Sequence, residues 1–102
     1  MTPEGLATKA ILAYLNSMDR AWAVKVHAGA QQGRGVPDIL GVVDGRSLAL
    51  EVKRAKGGRL TAIQEWNLRR WRTAGAIAGV VTGVADVKAL LRSAGNDEQE
   101  AR

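Results

Sequence analysis

The chain has 102 residues, 46% of them hydrophobic and 25% charged, with no cysteine and a formal charge of +5. That size fits one small globular domain with a modest core, which a homodimer would supplement, and the lack of cysteine excludes a disulfide framework and any thiolate metal centre. No apolar run reaches the length of a membrane span and the N-terminus lacks a signal-peptide pattern, so a soluble, cytoplasmic protein without membrane contact is expected.

Thr2-Pro3-Glu4 opens a first helix with a capping hydroxyl, a proline at the first helical position and an acid where the dipole favours one. The helix is expected to run to about Ser17, with Leu6, Ala10, Ala13 and Tyr14 on one side and Ile11, Leu15 and Met18 on the neighbouring side of a broad apolar face. Glu4 lies in line with Ile11 and Leu15. Ala21 to His27 alternates as a strand, and a single histidine argues against a histidine-rich metal centre. Residues 28–35 read as a loop rich in Gly and Gln. A strand follows that loop, so it is no dinucleotide fingerprint. Glycine in its closing Gly33-Arg34-Gly35 either lets the backbone approach a phosphate or makes room for the turn into Asp38; a merely flexible connection is the equal alternative.

Val36 to Val43 and Arg46 to Lys53 read as two strands joined by Asp44-Gly45, a dipeptide suited to a two-residue type I′ turn. That turn sets Val43 against Arg46 and, stepping outward, Ile39 against Leu50 and Asp38 against Glu51. A basic loop over residues 54–59 leads to a second helix from Thr61 to a C′ glycine at Gly75. Thr61-Ala62-Ile63-Gln64 is a capping box, yet Gln64 also falls among Leu60, Ile63, Leu68 and Trp71 in the apolar arc and points inward. Ile77 to Thr82 reads as a strand covered on both faces, and Val84 to Ser93 as a third helix closed by Gly95. Residues 1–95 form the domain and residues 96–102 a disordered polar tail.

The hairpin register concentrates the chemistry. Directly opposed Cβ atoms lie roughly 4.5–5.5 Å apart, where two ionised carboxylates repel unless a counterion joins them. Glu51 and Lys53 are two residues apart and share a face, so the ladder presents two hard oxygen ligands and one ammonium in a single patch. Phosphodiester hydrolysis needs this set: carboxylates to hold Mg²⁺ or Mn²⁺, the ion as Lewis acid, and a cation beside the nucleophile.

Pro37-Asp38 with Glu51-Val52-Lys53 matches the PD-(D/E)XK nuclease pattern literally. Together with Gly35, the run Gly58-Arg59-Leu60-Thr61 and Gln64, the chain resembles the VRR-NUC (virus-type replication-repair nuclease) domain from Glu4 to about Val81. The resemblance implies a restriction-endonuclease-like α/β core with a mixed sheet of about four strands, in the order helix, strand, hairpin, helix, strand, helix. It implies a Mg²⁺- or Mn²⁺-dependent DNA endonuclease, with Asp38, Glu51 and the Val52 carbonyl as metal ligands and Lys53 orienting or deprotonating the attacking water. A site glutamate near Glu4 and a glutamine at Gln64 also belong to the pattern; each has a helix-terminus reading beside the catalytic one. By analogy the substrate is branched or structured DNA, cut in the manner of a Holliday junction resolvase by a homodimer, and a phage origin is consistent with so small a version.

Without Asp97, Glu98, Glu100 and Arg102 the chain carries 14 bases and 7 acids, a formal +7 that favours a polyanionic partner. Arg34, Lys56 and Arg59 flank the patch and are the expected phosphate contacts, whereas Arg69 and Arg72 read as a solvated helix face. The rival reading is a non-catalytic nucleic-acid-binding module in which Asp38, Glu51 and Lys53 form a structural ion cluster.

Overall fold

A computed structural model describes residues 1–27 and 34–101, with side chains through residue 95. Most of the Gly/Gln-rich loop expected before Asp38, residues 28–33, lies outside the described residues. The elements follow the expected order: α1 (Pro3–Asn16), β1 (Ala21–Lys25), β2 (Ile39–Val43), β3 (Arg46–Val52), α2 (Ala62–Thr73), β4 (Ile77–Val81) and α3 (Val84–Ala101). Among the described residues one four-stranded mixed sheet runs β1-β2-β3-β4, with antiparallel pairs at β1/β2 and β2/β3 and a parallel pair at β3/β4. A parallel neighbour needs a crossover, and α2 supplies it.

Strand alternation divides the core between the two faces of the sheet. Leu48, Leu50 and Val52 of β3 join Ile39, Val43 and Val81 beneath α1 and α3, where Ile11, Leu15 and Val87 complete the larger cluster. Ala49 and Ala78 face the other way, toward Leu68, Leu60 and Trp71 of α2 and its approach. Small residues on that side let α2 sit close over β3 and β4. The half of this face formed by β1 and β2 is uncovered among the described residues, leaving Trp22 67% exposed and Val24 and Val42 about half exposed.

The helices refine the sequence reading. In α1 the buried stripe is Thr8, Ile11 and Leu15, with Glu4 half-buried at its end, while Leu6, expected on the apolar side, is exposed. Ile63, expected within the apolar arc of α2, is 42% exposed, because the helix covers only half the sheet; Leu68 is the buried residue of that helix. α3 does not stop at Gly95 but continues to Ala101, through residues expected to be an unstructured tail. Gly95 is absent from the glycines with positive φ, and a glycine that keeps helical dihedrals weakens a helix by about 1 kcal/mol without ending it. Gly75, by contrast, has φ 110° just beyond the C-cap Ala74, as expected of a C′ glycine.

Beside the sheet, Asn16 at the last position of α1 uses its amide on both backbone groups of Ala23: its Oδ1 accepts from the Ala23 N–H at 2.8 Å and its Nδ2 donates to the Ala23 carbonyl at 3.0 Å. At the other end of β2, Gly35 has φ 77°, and a Cβ there would lie 2.8 Å from the backbone carbon and oxygen of Ile63. The glycine therefore lets the chain pass against α2 on its way to Asp38. Gly35→Ala meets both the positive-φ penalty and this close approach, and is expected to destabilise the fold by about 2 kcal/mol or more, read as the midpoint shift in urea denaturation. An unchanged midpoint would show that the segment can move off α2 freely.

Candidate active site

The β2/β3 hairpin turns on Asp44 (φ 49°) and Gly45 (φ 80°), both in the left-handed region that a type I′ turn requires. The pairing is that expected from the turn, Val43 with Arg46 through Ile39 with Leu50. Asp38 stands one step beyond the last paired residue and is tied on both sides. Its carbonyl accepts from the Val26 N–H at 2.8 Å, and its Oδ2 accepts from the Val52 N–H at 2.8 Å. The next rung would set Pro37 against Val52. Proline has no N–H to give, so the partner that would ordinarily occupy the Val52 carbonyl from this side is missing by composition.

Glu51 projects to the α2 face of β3 and is 3% exposed. Lys53, two residues on and 17% exposed, brings its Nζ to 3.8 Å from Glu51 Oε1. Gln64 reaches the same oxygen from α2, its Nε2 donating at 3.1 Å. The rest of Gln64 belongs to the helix start: its Oε1 accepts from the Thr61 N–H at 3.0 Å and its backbone N–H donates to Thr61 Oγ1 at 3.2 Å. The two readings of this residue therefore hold together, one amide group spanning a capping box and the site.

Burial pushes the Glu51 carboxyl up to about 8, reinforced by the charge of Asp38 and by a hydrogen bond in which Glu51 donates to Asp38; Lys53 opposes the shift and Glu4 adds to it. The two acids thus face each other closely enough for the charge of Asp38 to oppose the ionisation of Glu51.

Asp38 and Val52 also line a cleft of about 190 Å³ together with Glu4, Thr8 and Lys25. Glu4 is thus brought to the site from α1, although no group of three or more histidine, cysteine or carboxylate side chains spaced to hold a metal occurs among the described residues. The donor set is two carboxylates and a backbone carbonyl, all hard oxygens of the kind that suits Mg²⁺ or Mn²⁺. Burial and, after it, the charge of Asp38 hold Glu51 toward its protonated form, and a divalent cation held by these oxygens would oppose both.

Lys56 and Arg59 are exposed on the link between Lys53 and Thr61, and Arg34 is exposed with its carbonyl held by Asn67 Nδ2 at 3.1 Å. The residues that sequence reasoning missed are Thr8 and Lys25. Thr8 was hidden in a helical apolar stripe, where its hydroxyl donates to the Glu4 carbonyl at 2.8 Å. Lys25 sits opposite Ile39 in the β1/β2 register, one residue from Asp38, a neighbourhood legible only once β1 is aligned beside β2.

No protein-family model matches the chain, and no curated protein sequence does. Among solved structures, one titled "VRR_NUC domain" superposes with a TM-score of 0.73 at 26% identity, over 90% of this chain and 97% of the other. A second, titled "VRR_NUC domain protein", gives a TM-score of 0.70 at 16% identity, covering 91% of this chain and 88% of that one, a likeness of fold alone. With Asp38, Glu51 and Lys53 set in place on the hairpin, the chain has a restriction-endonuclease-like α/β core and is similar, over nearly its whole length, to a VRR-NUC domain.

Proposed function

We propose that this domain is a Mg²⁺- or Mn²⁺-dependent endodeoxyribonuclease that hydrolyses phosphodiester bonds in branched DNA and works as a homodimer. The observation that carries the reading is the convergence of Asp38, Glu51, Lys53 and Gln64 at one end of the sheet, with Glu51 nearly inaccessible to solvent. Asp38, Glu51 and the Val52 carbonyl would hold the ion. When bound, the ion supplies Lewis acidity toward the phosphoryl group and lowers the pKa of water. Gln64 and Lys53 both address Glu51 Oε1 and so fix the orientation of that carboxyl group. Asp38 is fixed by the Val52 N–H in the same way. The Lys53 ammonium orients the attacking water and stabilises the charge that develops on the phosphate oxygens. Glu4 closes the α1 side of the cleft. The body charge of the chain, with Arg34, Lys56 and Arg59 exposed, supports a nucleic-acid substrate. Support for two copies comes from Trp22, Val24 and Val42, an exposed apolar group on the half of the sheet that α2 leaves bare.

Lys53→Ala is expected to lower turnover on a four-way junction by about 10²–10³-fold in Mn²⁺ while changing DNA affinity less than about threefold. Undiminished turnover would remove the lysine from the mechanism. A protein indifferent to Mn²⁺ in both binding and cleavage would favour the binding-module reading.

The raised Glu51 pKa sets a second expectation. Between about 4.5 and about 8 the folded protein keeps a proton that the unfolded chain has released, so the metal-free protein loses stability as pH rises through that window. The loss amounts to a few kcal/mol, one pKa unit being worth about 1.4 kcal/mol. Cation binding must displace this proton, so Mn²⁺ affinity, measured by calorimetry, rises with pH until about 8 and then levels. Glu51→Gln is expected to flatten the pH dependence of the melting temperature, to raise it at pH 8 without metal, and to weaken Mn²⁺ binding. A melting profile identical to wild type would refute the upward shift at Glu51.

Trp22→Glu places a charge in the bare half-sheet and is expected to give a monomer by light scattering. A mass unchanged from a dimeric wild type would place the contact elsewhere, and a monomeric wild type that cuts both strands of a junction symmetrically would defeat the dimer.

A further inference from the structure

The cleft holding Asp38, Glu4 and Val52 does not end at the acids. It shares Gly5, Thr8 and Lys25 with an adjoining cavity of about 370 Å³ that is also lined by Met1, Lys9 and Leu12. The two make one groove, beginning at the acids and continuing between the outer side of α1 and the end of β1. Its character changes along the way. Glu4 and Asp38 mark the acid end, whereas the far end has two exposed lysines over an apolar floor of Met1 and Leu12. Among the described residues neither Lys9 nor Lys25 is ion-paired.

We propose that this groove is a backbone-binding track for the nucleic-acid strand adjoining the scissile phosphate, with Lys25 the positioning residue nearest the acids and Lys9 the next cation along it. The inference rests on the nucleic-acid reading given above and adds to it a side of approach and two residues. Charge complementarity and continuity with the acids select the occupant: alternating phosphates and apolar sugar or base surface match lysines set over Met1 and Leu12. Lys25 is placed for this by the register that pairs it with Ile39, so that it flanks Asp38 on the side away from Lys53 and Gln64. The strand is then held from two sides, by Lys56 and Arg59 on the loop after β3 and by Lys25 and Lys9 across the cleft.

Fluorescence anisotropy with a labelled single-stranded oligonucleotide and a labelled four-way junction, in EDTA so that nothing is cut, tests the track. The double variant Lys25→Ala/Lys9→Ala is expected to bind about tenfold more weakly near physiological salt, with a log–log salt slope shallower by about 1–2, and Lys25→Arg to bind as wild type. Arg92→Ala/Lys88→Ala, which removes the same charge from α3, serves as the control and is expected to change affinity much less. In Mn²⁺ the groove double variant should show a raised KM with kcat retained. An unaltered affinity and salt slope in the groove variant, or an equal loss in the α3 control, overturns the proposal. The outcomes separate it from the nuclease reading: a wild type that cuts DNA while the groove variant binds normally sinks the track alone. A wild type that never cuts, but loses binding selectively with the groove lysines, sinks the nuclease and leaves the track. A wild type that binds neither probe in EDTA and cuts neither in Mn²⁺ sinks both.

Discussion

A buried carboxyl group set against a second, partly exposed one is the constraint around which this small fold is arranged. Glu51 is drawn under α2 and faces Asp38 across the end of a hairpin, and each neighbour either tolerates or relieves the resulting repulsion. Asp38 spends one oxygen on the Val52 N–H, Glu51 takes the Gln64 amide and the Lys53 ammonium, and burial with the charge of Asp38 still pushes the Glu51 carboxyl up. Under the proposed function, a hard cation would have to displace the Glu51 proton on binding.

Holding the pair requires agreement between separate parts of the chain. The turn at Asp44-Gly45 determines which residues face each other at the far end of β2 and β3, several rungs away. The parallel strand β4 anchors β3 from the other side, with the Lys53 N–H donating to the Val81 carbonyl at 3.0 Å. α2 then delivers Gln64, and because the same amide caps the helix, the first turn of α2 and the orientation of Glu51 are set by one side chain. Breaking the cap therefore disturbs the site.

Much of this was legible from residue order. The hairpin and its register follow from a single dipeptide and from alternation, both local signals, and the inward direction of Gln64 follows from helical period. The sequence pattern also separates the two faces of β3, since Leu48, Leu50 and Val52 alternate with Ala49, Glu51 and Lys53. What was not legible depends on how elements overlie one another. Ile63 has the right period for burial but extends past the part of the sheet that α2 covers, and Leu6 is apolar yet turned away from the stripe through Thr8, Ile11 and Leu15. Lys25 and Thr8 enter the cleft because β1 and α1 happen to end beside Asp38, a juxtaposition without a local signature. Gly95 misled in the opposite sense: it reads as a stop by type, whereas the α3 backbone continues to Ala101.

Asn16 has a consequence for self-assembly. The exposed rim of a sheet is a template on which another chain can add a strand, and β1 is such a rim. By claiming both outward backbone groups of Ala23, at the midpoint of a five-residue strand, the asparagine amide acts as a short substitute strand and leaves no uninterrupted row for a newcomer to zip onto. Copies of this molecule are thereby steered away from open-ended, fibre-like stacking through β1, and any association on this side of the sheet must proceed through side chains.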